Sequence, residues 1–500
     1  MRIARDLLTV DDFVPALEDE AAATRSLMPE DLGLASLFSH DGAADWAYRR
    51  TAGEFTPIPE QLVSVRKAGH GVRPVAELSV RDRVLYRVLT RRWLDRLEVP
   101  DRSSAAYEAF RRAPINSGTH GNYVVSSDIT ACYAYIDHGL LGREILARTG
   151  DSDGVDALTS LLAGITGRSY GIPQQSGPSD LLAEAYLSVV ERRLLRHGLR
   201  LWRYNDDFRV SVDTWSDALN AVDTLERECR AVGLVLNESK TFISKRATYE
   251  VNLDRRSDVL QEISDEVELD LTQVSISRYD VELIEPEADD VTVGAATKAI
   301  VEWSSLIDKG DDLTPEEREK QAILSDLVRW ALPVLSSQSA DDSVLEACGK
   351  ILRFEQTLTP YVARYLGAGK AEPKPTVAWF EGYLGGNPYL TPWQAWWIAP
   401  ALRAHGGSFA ADSVQRAWLH TVWNDPASPE PVRAGLALTM SQRKLIDADG
   451  LVKQFDAMTE TGRPYIARAL GGIAPTRHTG ALTLRLEDDW IKWAFDYGAA

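Results

Sequence analysis

Cysteine is scarce. Only Cys132, Cys229 and Cys348 occur in 500 residues, too far apart for a disulfide framework or a zinc site, and a reducing cytoplasmic setting is expected. Long apolar runs are missing as well. No stretch approaches about 18 uncharged apolar residues, which excludes a membrane-spanning helix and makes membrane partners unexpected. The N-terminus runs from Met1-Arg2 to Asp11-Asp12 without the apolar core that a secretory leader needs. Positive charge is also short, with 55 Lys and Arg against 74 Asp and Glu and a net charge of −19. Proteins that grip long nucleic-acid duplexes neutralise many phosphates with Lys and Arg, so a grip by bulk charge is disfavoured. The deficit is uneven: residues 1–250 hold 31 basic and 36 acidic side chains, residues 251–500 hold 24 and 38. Most of it lies in residues 251–350, where 24 acids face 9 bases in runs such as Asp265-Glu266, Glu285 to Asp290 and Asp311-Asp312. Such runs are usually solvated, and residues 251–292 are expected to form an acidic connecting segment.

What the chain does have is apolar content of 44%, enough for sizeable cores, and a length that favours two or more domains at about 100–200 residues each. Its most informative residues are Tyr204-Asn205-Asp206-Asp207, between the apolar runs 199–202 and 208–212. The pattern predicts a hairpin with two adjacent carboxylates at its tip. Upstream, Tyr123 to Asp128 reads as a strand ending in an acid, followed by a turn into Tyr133. Asp128, Asp206 and Asp207 from two such segments suit a pair of Mg²⁺ ions, because Mg²⁺ takes carboxylate oxygens and leaves positions for water and substrate phosphates. A two-metal site clamps the attacking and leaving oxygens of an in-line displacement.

Between these segments, Gly171-Ile-Pro-Gln174-Gln175-Ser176-Gly-Pro-Ser179 predicts a turn feeding a helix over 180–197, capped by Ser179 and stopped by Gly198. After the Asp pair, Gly233-Leu-Val-Leu-Asn237-Glu-Ser-Lys240-Thr241 reads as a turn and a strand carrying a lysine.

In this order the four segments resemble the successive palm motifs of reverse transcriptases, over roughly residues 60–250. Arg73-Pro74 and Arg81 to Leu85 are similar to the finger segment that precedes the palm in bacterial members. The resemblance implies metal binding by Asp128, Ile129, Asp206 and Asp207, with Mn²⁺ as a substitute for Mg²⁺. It implies a sugar gate at Tyr133, dNTP contact by Gln174, Arg73, Tyr204 and Asn205, and a proton-donating Lys240. One departure stands out: Gln175 occupies the place where the family has glycine, at the backbone's approach to the nascent base pair.

From about Val293 the pattern changes to serial amphipathic helices. They are expected over 295–306, 315–335, 343–357, 393–404, 412–423, 431–441, 465–471 and 487–497, with breaks at 336–342, 367–375, 405–408 and 424–430. Spacing of about 30–40 residues per helix pair predicts a HEAT-like solenoid. Ten of the 14 tryptophans lie beyond residue 300, and most of them are expected in its core. The expected fold is therefore α+β. Right-hand polymerase fingers and palm of reverse-transcriptase type occupy 1–250, and an all-α HEAT-like domain at 293–500 replaces the thumb.

This architecture resembles the bacterial abortive-infection and defence-associated reverse transcriptases, the AbiK-like group. The resemblance implies homo-oligomers, a DNA product, and in some members synthesis that starts from a protein hydroxyl without a template. Tyr361, Tyr365, Tyr383, Tyr389, Tyr465 and Tyr497 are candidate starting hydroxyls, with Tyr497 expected on a mobile tail. Two other classes stay open: a retron- or intron-type enzyme copying a template or structural RNA, and a catalytically degenerate nucleotide-binding scaffold.

Overall fold

A computed structural model describes residues 1–3, 6–23, 27–29, 34–67, 71–116, 118, 121–253, 290–368, 374–405, 412–474 and 486–500. The expected acidic connector therefore lies almost wholly outside the described residues, as does most of the 405–408 break. The chain mixes helices and strands and divides into two compact units. The first comprises Met1–Asp19, Ala47–Glu60 and Arg81–Asp258, and the second Glu20–Trp46, Gln61–Val80 and Val259–Ala500.

The first unit is built on a four-stranded antiparallel sheet: β1 (Tyr123–Asp128), β2 (Arg200–Tyr204), β3 (Asp207–Val212) and β4 (Phe242–Lys245), in the order β2-β3-β1-β4. β1 is central, paired with β3 on one edge and β4 on the other. Its residues from Val124 to Asp128 are all buried, which explains the absence of polar alternation along it. Helices α1 (Ser104–Asn116), α2 (Cys132–Tyr135), α3 (Gly177–Arg196) and α4 (Trp215–Arg230) surround this sheet in sequence. α1 packs on β2 and β3, α4 on β1 and β3. The cap of α3 is Ser176; Ser179, the expected cap, lies inside the helix, where its hydroxyl is buried 2.9 Å from the Tyr86 hydroxyl. Gly198, two residues past the end of α3, has φ 76°, the left-handed conformation that glycine adopts without steric cost.

The second unit carries the hairpin Gln61–Arg66 and Val72–Glu77 and a series of helices: α5 (Asp290–Lys309), α6 (Pro315–Leu335), α7 (Asp342–Phe354), α8 (Thr359–Gly367), α9 (Lys374–Gly385), α10 (Pro392–Ala404), α11 (Val414–Asn424), α12 (Glu430–Gln442), α13 (Ala448–Ala457), α14 (Arg463–Ile473) and α15 (Asp489–Ala499). Packing follows alternation. α6, α8, α10, α12, α14 and α15 form one row of successive neighbours, and α5, α7, α9 and α11 form another. Side-chain caps fix several starts: Thr314 with Glu317 and Thr391 with Gln394 form capping boxes, and Asp341, Ser413, Asp447 and Asp488 cap α7, α11, α13 and α15. Trp303, Trp393 and Trp490 are fully buried. Among the described residues, no helix is long and apolar enough to cross a membrane.

Candidate active site

Asp128 ends β1 and pairs in register with Asp207, the first residue of β3. Tyr204 and Asp207 are the last pair of the β2–β3 hairpin, leaving Asn205-Asp206 as a two-residue turn. Such a turn needs positive φ at its first position, and Asn205 supplies it at 54°, a conformation asparagine tolerates better than most residues. The Ile129 amide donates to the Asp206 carbonyl at 3.1 Å, fixing the turn against the end of β1. As a result, each of Asp128, Asp206 and Asp207 offers a carboxylate oxygen lying within 4.8 Å of the others.

Three carboxylates so placed repel one another. Burial, then the charges of Asp128 and Asp207, push Asp206 up to about 6. Asp207 is also raised by burial and Asp128, although Arg209, 3.7 Å away, opposes this. An all-oxygen donor set with excess negative charge fits a hard divalent cation such as Mg²⁺.

The Leu236-Asn237 segment orients Asp128. The Asn237 amide donates to the Asp128 carbonyl at 2.7 Å and its side-chain Nδ2 to Asp128 Oδ2 at 3.1 Å. Lys240 Nζ donates to the other oxygen, Oδ1, at 2.9 Å. Lys240 thus reaches the triad, but from the short 3₁₀ turn Glu238–Lys240 and not from a strand, since β4 begins only at Phe242. Burial works against its charge, yet the hydrogen bond and charge of Asp128, with Asp207 and Asp206, outweigh burial and raise its pKa. It is a protonated donor at neutral pH.

Tyr133 follows Ala131, which turns the chain at φ 49°, and stands on α2. Its hydroxyl donates to Asp180 Oδ1 at 2.5 Å, so the ring is tethered to the first turn of α3. Burial and the Asp180 charge hold that hydroxyl well above the usual tyrosine range. The Gly171-Ile172 segment is stitched to the same place: Ile172 N donates to the Tyr133 carbonyl and Gly171 N to that of Ile136, both at 2.8 Å. This puts half-buried Gln174 in the chain segment tied to Tyr133. Gln175 has φ 61°, so the backbone keeps a glycine-like conformation although the side chain is not glycine.

Arg203, which sequence reasoning passed over, positions the turn. Its guanidinium donates to Glu191 Oε2 at 2.9 Å, to both oxygens of Glu184, and to the Asn205 carbonyl at 3.1 Å. Glu184 and Glu191 stand seven residues apart on α3, hence on one helix face, and that spacing was the available signal. Tyr204 packs among Tyr107 and Phe110, with ring centroids at 5.1 and 5.9 Å.

Two expected residues fall in the second unit. Arg73 belongs to the second unit, opposite Val65 in the hairpin. Tyr497, expected on a mobile tail, is instead in α15, with the Arg468 guanidinium 4.9 Å from its ring centre. α15 sits against α14 so closely that a Cβ at Gly498 would come within 2.0 Å of the Arg468 carbonyl. Of the other candidate tyrosines, Tyr365 is 1% exposed and Tyr389 73%, which singles out Tyr389 as the most accessible hydroxyl.

Residues 65–262 match the family model described as reverse transcriptase (RNA-dependent DNA polymerase). No curated protein matches the chain. Similar solved structures include telomerase from Candida albicans in complex with a TWJ fragment of telomeric RNA, at 10% identity and a TM-score of 0.32, covering 73% of this chain and 65% of that one. Apo telomerase from Candida Tropicalis is similar at 10% identity and a TM-score of 0.32, covering 85% of this chain and 72% of that one. The matched segment is thus similar to a reverse-transcriptase domain.

Proposed function

We propose that this reverse-transcriptase domain is an active DNA polymerase of the bacterial abortive-infection type, working in antiphage defence. One observation carries the proposal: Asp128, Asp206 and Asp207 converge within 4.8 Å while Lys240 bonds the first of them. Degenerate nucleotide-binding modules have no need to keep such a mutually repelling set.

Asp128, Asp206 and Asp207, with Ile129 beside them, would hold Mg²⁺ or Mn²⁺. Bound there, the metals supply charge neutralisation at the attacking and leaving oxygens of the displacement. The nucleophile is a 3′-hydroxyl, or at initiation a protein hydroxyl; it attacks the α-phosphate of a dNTP and pyrophosphate leaves. Lys240 donates a proton to the departing pyrophosphate. Tyr133, tethered by Asp180, closes the space that a 2′-hydroxyl would enter, and Gln174 contacts the nucleotide. Asn205 and Tyr204 shape the turn beneath it.

The alternating rows of helices in the second unit support a HEAT-like array in the thumb's place. The acidity of residues 251–350 is ill suited to holding a separate primer duplex and supports a covalent protein start. Tyr389, by its exposure, joins Tyr497 as a priming candidate. On the same reading the enzyme is a cytoplasmic homo-oligomer. Incubation with Mg²⁺ and each labelled dNTP, with no template or primer, tests this. Incorporation that stays on the protein after denaturation and is released by protease supports it; synthesis only on an added annealed primer and RNA template would return the chain to conventional reverse transcription.

A further inference from the structure

Among the described residues, two arginines of the candidate site are matched with acids and a third is not. Arg203 lies on Glu184 and Glu191, and Arg209 on Asp207. Arg102, just ahead of α1, is half-buried, and its guanidinium carbon is 5.9 Å from the centre of the Tyr204 ring. Among the described residues it has no ion pair, and its Nη2, shielded from solvent, has no hydrogen-bond partner. Beside the Tyr204 ring, its charge also acts on the Tyr133 hydroxyl and the Asp180 carboxylate, which puts the expected sugar pocket within its electrostatic reach.

A half-buried guanidinium with an unmade hydrogen bond is costly, and arginine cannot shed its charge to escape the cost. The ring of Tyr204 compensates in part, since a cation over an aromatic face is attracted by its quadrupole. What such a group lacks is an anion, and the planar fork of arginine matches phosphate in particular. Asp180, on which its charge acts, is already engaged at Oδ1, which accepts a hydrogen bond from the Tyr133 hydroxyl at 2.5 Å. We propose that Arg102 is a phosphate-binding residue of this site, holding either the incoming triphosphate or a backbone phosphate of the strand. The inference builds on the polymerase assignment and adds, within the first unit, a phosphate contact besides the one expected at Arg73.

The test is equilibrium binding in Ca²⁺, which needs no turnover, of dATP and of a 12-nucleotide oligo-dT to the full-length protein, its Arg102→Ala variant and its Arg102→Lys variant. Loss of one charge-assisted contact should weaken the affected probe about tenfold or more in Arg102→Ala. Weakening of dATP alone assigns the triphosphate; weakening of oligo-dT, with the salt slope lowered by about one, assigns a strand phosphate. Weakening of both supports a position shared by either ligand. Arg102→Lys should recover part of the loss in each case, because the charge is kept. Affinities for both probes within twofold of wild type, or no binding of either by wild type, overturn the inference. So does a loss accompanied by a melting temperature about 5 °C lower and not recovered by lysine, which would make Arg102 a packing partner of Tyr204. Failure of the wild type to incorporate dNTPs in Mg²⁺ is a separate result: it would sink the polymerase assignment and leave the binding comparison readable.

Discussion

Asp128 and Asp207 face each other across the last rung of the β1–β3 ladder, and the two-residue turn hangs Asp206 beside them. The sheet register thus forces together three groups that electrostatics would keep apart, an arrangement that costs stability and that a bound cation would relieve.

Asp206→Asn should therefore stabilise the metal-free protein. With its pKa raised from 3.8 to about 6, Asp206 withholds stability worth up to about 3 kcal/mol at neutral pH. The amide keeps the shape and removes the charge. Thermal melts in chelator should show a rise of a few degrees; an unchanged or lower melting temperature would show that the carboxylate is already compensated.

The pH dependence has a definite sign. Because the folded pKa of Asp206 is the higher, the folded state binds more protons between about pH 4 and pH 6, so this group's contribution to metal-free stability falls as pH rises through that window. Mg²⁺ binds the deprotonated set. It should raise the melting temperature at pH 7.5 clearly more than at pH 5, as measured by scanning fluorimetry, and the difference should shrink in Asp206→Asn, where only Asp207 keeps a raised pKa.

Gln175 holds φ 61°, which for a residue with a Cβ costs about 1–2 kcal/mol relative to glycine. Gln175→Gly should stabilise by roughly 0.5–1 kcal/mol after allowing for glycine's greater chain entropy. Chemical denaturation measures it. A loss instead would mean that the side chain's own contacts outweigh the strained backbone.

Tyr133→Phe removes the hydroxyl bonded to Asp180 but keeps the ring, whereas Tyr133→Ala removes both. Competition between dATP and ATP should show strong deoxynucleotide preference kept in Phe and lost in Ala. Equal ribonucleotide exclusion by all three proteins would make Tyr133 a structural tether only.

The hairpin at Tyr204–Asp207 was legible because turn chemistry and apolar flanks are local. So was α6, whose long apolar periodicity over 315–335 matches the helix found. α9 was missed because the break set at 367–375 ended on Pro375, although proline is well tolerated in a helix's first turn; α8 and α13 were not predicted either. Lys240 meets Asp128 across 112 residues of sequence, and only the family resemblance pointed to it. No periodicity reports that residues 20–46 and 61–80 pack with the second unit, because partner choice is a long-range property.

The central claim is two-metal nucleotidyl transfer at Asp128, Asp206 and Asp207. Its most direct measurement is labelled dNTP incorporation in Mg²⁺ by the wild type and by the Asp206→Ala, Asp207→Ala double variant, each checked for native melting behaviour. Incorporation by the wild type and its loss by at least about a thousandfold in the folded double variant is the predicted result, since removing the metal clamp removes most transition-state charge stabilisation. Undiminished incorporation by a well-folded double variant would contradict it.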